Sequence, residues 1–91
     1  MNMELTSIPV CADGIKTREE TFGMLLISKR TPILTLNDDS TAIWSKVDGA
    51  KTISAIVTEL KNEYDCPKNE LEATVISFFD SCYKLGLIEF R

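Results

Sequence analysis

The sequence predicts an α+β domain of winged-helix-like type, a three-stranded antiparallel β-meander followed by three α-helices. Three observations predict it. Between residues 13 and 36, the segments "GIKTRE", "TFGMLLISK" and "TPILTLN" are short, rich in Ile, Leu, Thr and Phe, and broken by charged residues. From Ile53, apolar residues recur at helical spacing through Ile56, Val57, Leu60 and Tyr64. Capping and stop residues then divide 37–86 into three helices.

Each element follows from its residues. Residues 1–12 have no sustained period and are read as an arm or a marginal strand. In the meander the middle strand is the most apolar. In the third segment Leu34 and Leu36 fall on one face and Ile33 and Thr35 on the other. Pro32 lacks an N–H, so this strand starts at an edge of the sheet or outside the ladder. Asn37, Asp38, Asp39 and Ser40 are all good caps for the first helix, which presents Ile43, Trp44 and Val47 and stops at Asp48-Gly49. Thr52 caps the second helix. The third has Asp65 or Cys66 as its cap, Pro67 in its first turn and Gly86 just past its end. It carries two apolar stripes, Leu71, Val75, Phe78, Cys82 and Leu85 on one side and Ile76, Phe79 and Tyr83 on another, so it needs two neighbours. The expected core is Leu34, Leu36, Trp44, Ile56, Leu60 and Phe78. Residues 87–91 form a strand-like tail that returns to the sheet, and the whole chain, 1–91, fits one domain.

Composition excludes more than it assigns. With 91 residues and 44% apolar content a core forms without metal or disulfide staples, leaving little room for an enclosed active site. The net charge of −4 repels polyphosphate backbones. Cys11, Cys66 and Cys82 are widely spaced, form no C-x-x-C pair, and have no histidine in the chain to complete a zinc set. They read as reduced thiols of a cytoplasmic protein; the cysteines also lack a general base for nucleophilic catalysis. Neither a signal peptide nor a membrane span is visible. The four glycines are scattered, which rules out a phosphate-cradling loop. Asp38, Asp39 and Asp48 stand where caps and turns use carboxylates. These readings predict a non-enzyme with no cofactor and no metal.

The stretch "LTLNDDSTAIWSKVDGAKTISAIVTELKNEYDCPKNELEATVISFFDSCYKLGLI" resembles the PqqD-like family of peptide-recognition domains, also called RiPP recognition elements. These act in pathways making ribosomal, post-translationally modified peptides. The shared features are the strand ending in Leu36-Asn37, Ile43-Trp44, Asp48-Gly49 followed by Thr52, the ladder Ile56, Leu60 and Tyr64, and the closing Leu85-Gly86-Leu87. Ile33 and Thr35 stand where members from lasso-peptide pathways often carry an aromatic residue.

The resemblance implies non-catalytic binding of the leader segment of a precursor peptide, presented to a separate modifying enzyme such as a radical-SAM protein or a leader peptidase. The pathway implied is pyrroloquinoline quinone, lasso-peptide or radical-SAM peptide synthesis. It implies a leader added as an antiparallel strand along Thr31, Ile33, Leu34, Thr35 and Leu36, lying against Glu72, Ile76, Phe79 and Tyr83 of the third helix. The residues alone had left an edge strand and a spare apolar stripe, the two walls of such a groove. The same open edge offers a route to a homodimer. The alternative is a winged-helix DNA-binding transcription regulator. Its recognition helix, from Asn69 to Leu85, would bring Glu70, Glu72 and Asp80 to DNA against Lys84 alone, the wrong sign of charge.

Overall fold

The computed structural model describes residues 4–29 and 33–91. Chain order is β1 (Pro9–Cys11), β2 (Lys16–Glu20), β3 (Gly23–Ile27), β4 (Leu34–Leu36), α1 (Asp38–Trp44), α2 (Ile53–Glu63), α3 (Lys68–Lys84) and β5 (Ile88–Phe90). The meander is an antiparallel sheet of order β2-β3-β4, as expected. Met24 pairs with Leu36 and Leu26 with Leu34. That register puts these four side chains on one face, where Met24, Leu26 and Leu36 are buried and Leu34 packs partly against them.

The tail departs from expectation. Instead of returning to the meander, β5 pairs with β1 in a separate two-stranded antiparallel sheet, with Pro9 opposite Phe90 and Cys11 opposite Ile88. The arm is ordered for a second reason. The first amides of α2 have no partners within their own helix. Ile53 N–H donates to the Ser7 carbonyl at 3.0 Å and Ser54 N–H to that of Leu5 at 2.9 Å. Thr52 Oγ1 accepts from the Ala55 N–H, completing the cap.

At α1 the cap is Asn37, whose Oδ1 accepts from the Ser40 N–H at 2.9 Å. At α3 neither Asp65 nor Cys66 caps: the boundary residue is Pro67, without a side-chain hydrogen bond. Proline's fixed φ sets the entry to the helix and leaves no capping oxygen. The far end closes as a Schellman motif. Gly86 takes φ 77°, its N–H donates to the Tyr83 carbonyl, and Leu87 N–H donates to that of Cys82. Leu87 and Cys82 are both buried, the apolar contact that accompanies this motif.

The core is Met24, Leu26, Leu36, Ile43, Trp44, Ile53, Ile56, Val57, Leu60, Val75, Phe79, Cys82, Leu87 and Ile88. Four of the six expected core residues belong to it. Leu34 and Phe78 are only half-buried, and on α3 it is Phe79 that is sealed, at 0% exposure.

Between α1 and α2, Asp48 organises the turn: one oxygen accepts from the amides of Ala50 and Lys51, each at 2.9 Å. Those amide hydrogen bonds, and the nearby Lys51 ammonium, hold its carboxyl below the ordinary value of 3.8. A depressed pKa contributes stability that is present above that value and lost as pH falls through the folded-state pKa. Asp48→Ala should therefore lower the melting temperature near neutrality. The gap between variant and wild type should close as pH drops below about 4; a gap independent of pH would show that the carboxylate's charge plays no part.

Candidate functional site

The meander leaves two outer strands, and they differ in chemistry. Along β2, Lys16, Thr17, Arg18 and Glu19 are all exposed, and Arg18 pairs with Glu20 at 2.9 Å. Charges of this density guard an edge against pairing with another chain. On the other side, β4 is Leu34-Thr35-Leu36, without a charge, and among the described residues it pairs only with β3. Just before it Ile33 is 60% exposed. An uncharged edge with unpaired backbone groups and an exposed branched side chain is a template for a further strand.

Of the expected site residues, Ile33, Leu34, Thr35 and Leu36 lie at this edge, with Leu36 turned into the core. Thr31 lies outside the described residues. The expectation for α3 needs correction. Phe79 is fully buried and so cannot form the wall of an open groove. Tyr83 packs its ring on Phe90 of β5, with centroids 5.3 Å apart, so it faces the second sheet. At about 100° per residue, Glu72 and Ile76 share the flank of Tyr83, whereas Thr74 and Phe78 lie on the opposite flank. Glu72 and Ile76 are half-buried.

The opposite flank faces a pocket that sequence reasoning missed. A cavity of about 300 Å³ opens where α1, the end of α2 and the start of α3 converge. Its floor is apolar, from Ala42, Ile43, Leu60 and Leu71, and its rim carries Asp39, Asp65 and Glu70. Asp39 belongs to the first turn of α1, which begins two residues after β4 ends. The helix that follows directly on β4 thus supplies Asp39, Ala42 and Ile43 to the pocket. The periodicity of α3 could have exposed this flank, because Leu71, Thr74 and Phe78 lie on one side at i, i+3 and i+7.

The remaining reactive side chains are placed for packing. Burial pushes the Cys82 thiol up to about 12. Burial and then the Asp13 carboxylate raise that of Cys11. Both are protonated at neutral pH and poor nucleophiles. Among the described residues no three His, Cys, Asp or Glu side chains gather as a metal site.

These features define the class, a small α+β fold with one charged and one uncharged sheet edge. The family model described as "Coenzyme PQQ synthesis protein D (PqqD)" matches residues 23–88, from the start of β3 into β5. The chain belongs to the PqqD family. Two solved structures share the fold. The first is the solution NMR structure of the PqqD truncation of Methylobacterium extorquens PqqCD, described as a functional and stand-alone RiPP recognition element. It is 21% identical with a TM-score of 0.82, the match covering 97% of this chain and 95% of that one. The second is TbiB1 in complex with the TbiA(beta) leader peptide, 18% identical with a TM-score of 0.79, covering 88% of this chain and 94% of that one. No curated protein matches the chain.

Proposed function

We propose that this chain binds the leader segment of a ribosomally made precursor peptide by β-strand addition to β4 and presents it to a separate modifying enzyme. The observation that carries the reading is the asymmetry of the two sheet edges, β2 charged and β4 uncharged. Membership of the PqqD family supports it, and so does the fold shared with a protein bound to a leader peptide. Backbone hydrogen bonds along Ile33, Leu34, Thr35 and Leu36 supply affinity that depends little on leader sequence, and side-chain pockets supply selectivity. On α3 the adjoining wall is the flank of Leu71, Thr74 and Phe78 rather than that of Glu72, Ile76 and Tyr83. Holding the leader raises the effective concentration of the attached core peptide at an enzyme such as a radical-SAM protein or a leader peptidase, so modest affinity suffices. No residue set for catalysis enters this role.

The charges of α3, with Glu70, Glu72 and Asp80 beside Lys68 and Lys84, argue against DNA as the ligand. No helix among the described residues is long and apolar enough to cross a membrane.

The test uses a synthetic peptide copying the N-terminal segment of a short open reading frame beside this gene, with duplex DNA as control. Amide exchange should slow at residues 33–36 on peptide addition and stay unchanged along β2. Phe78→Ala should weaken binding by about 1–3 kcal/mol, as for an anchor in a small interface, and Tyr83→Ala by less. An equal or larger loss with Tyr83→Ala would move the peptide to the β5 side, and protection along β2 would overturn the edge assignment.

A further inference from the structure

The pocket between α1, α2 and α3 is where the observations reach further, on the reading that a leader pairs with β4. We propose that it receives one large apolar side chain of the leader, flanked by lysine or arginine and lying N-terminal to the paired segment. Three arguments carry this.

Direction comes first. A strand added antiparallel to β4 has its N-terminal end opposite the C-terminal end of β4. That end leads through Asn37 into α1, so leader residues preceding the paired segment run toward α1 and the pocket beside it. Size comes second. At about 300 Å³ the cavity lies at the bottom of the range for small-molecule sites, which suits a single side chain rather than a folded segment. The apolar floor sets the character of that side chain.

Charge comes third. Ion pairs occupy Glu20, Asp48, Glu59, Glu63 and Asp80, each with a lysine or arginine of this chain. Asp39, Asp65 and Glu70 are among the carboxylates that make no ion pair with the described residues, and what sets them apart is that they gather on one pocket whose lining holds no basic residue. Three carboxylates around an apolar floor select against acidic neighbours of the anchor and favour cationic ones, which also steers encounter. Tyr64, exposed at the rim, adds a ring face on which an ammonium or guanidinium is held. The occupant is thus a basic-flanked apolar anchor of a peptide.

The experiment selects random linear peptides, displayed on phage, against the intact chain, and repeats the selection with the variant Asp39→Asn/Asp65→Asn/Glu70→Gln. These substitutions sit on an exposed rim; Asp39 and Glu70 stand in the first turns of α1 and α3, so the variant should melt somewhat below the wild type but remain folded at the temperature of the selection. Wild-type selection should enrich an aromatic or large aliphatic residue next to Lys or Arg, N-terminal to an extended segment that slows amide exchange at residues 33–36. The variant should bind those peptides about tenfold more weakly at low salt, a difference that shrinks as ionic strength rises. Peptides that protect residues 33–36 equally well without basic residues, or that bind the variant unchanged, overturn the pocket proposal while the strand-addition reading stands. If no enriched peptide protects residues 33–36, both fall.

Discussion

Phe79→Ala should remove a large share of the stability of this protein, lowering the melting temperature by more than about 12 °C, whereas the neighbouring Phe78→Ala should cost far less. Phe79 is among the largest fully buried side chains, packed with Val75 and Cys82 of its own helix in a core that includes α2 and β5. Emptying that volume costs the transfer free energy of the ring plus the cavity left behind, about 3–5 kcal/mol for a buried phenylalanine. A domain of this size holds roughly 5–15 kcal/mol in total, and each kcal/mol moves the midpoint by about 4–8 °C. Phe78 is only half-buried, its ring centroid 5.7 Å from that of Phe79. Thermal melts of both variants by circular dichroism decide the matter. Equal shifts would mean the two rings share the burial.

That pair shows what was legible in the sequence and what was not. The meander, the three helices, the cap at Thr52, the cluster of candidates that contains the Asn37 cap, and the left-handed stop at Gly86 all follow from local chemistry, because turn and cap residues act within a few positions of themselves. The uncharged edge at Leu34-Thr35-Leu36 was legible for the same reason. The face of α3 was not. Assigning Phe78 to the main stripe and Phe79 to a second one treats i+3 and i+4 as equivalent, yet over a helix of 17 residues the difference accumulates. Measured from Val75 at about 100° per residue, Phe79 lies about 40° to one side and Phe78 about 60° to the other. The narrower angle wins the core, and the wider one leaves Phe78 on the flank of Thr74 and the pocket.

The destination of the tail was illegible for another reason. "LIEF" is apolar enough for any sheet, and only the three-dimensional position of β1 makes that strand its partner. The pocket likewise assembles Ala42, Leu60 and Leu71 from three helices, a convergence no periodicity within one helix encodes.

Gly23→Ala should lower stability by at least about 2 kcal/mol and, on the proposed function, abolish leader binding even where the protein remains folded. Gly23 has φ 142°, a conformation that L side chains rarely adopt. A methyl group there would sit 2.0 Å from the Leu36 carbonyl oxygen and 3.0 Å from Thr41 Oγ1. The oxygen belongs to backbone, so the clash cannot be relieved by rotating a side chain. One of the two strands must move. β4 is the weaker partner, three residues long and held on one side only. Its last residue also accepts a hydrogen bond from Thr41 Oγ1 at 3.4 Å, which ties the strand end to α1. Displacing Leu36 therefore disturbs the pairing of β4 with β3 and the junction with α1, together with the edge on which a leader would lie. The matched control is Gly14→Ala, also at positive φ but in open space, which carries the backbone strain without the clash. Amide exchange at residues 34–36 should accelerate in Gly23→Ala and not in Gly14→Ala. If both variants melt alike and both retain the leader peptide, the close approach of Gly23 to Leu36 does not hold the edge strand in place.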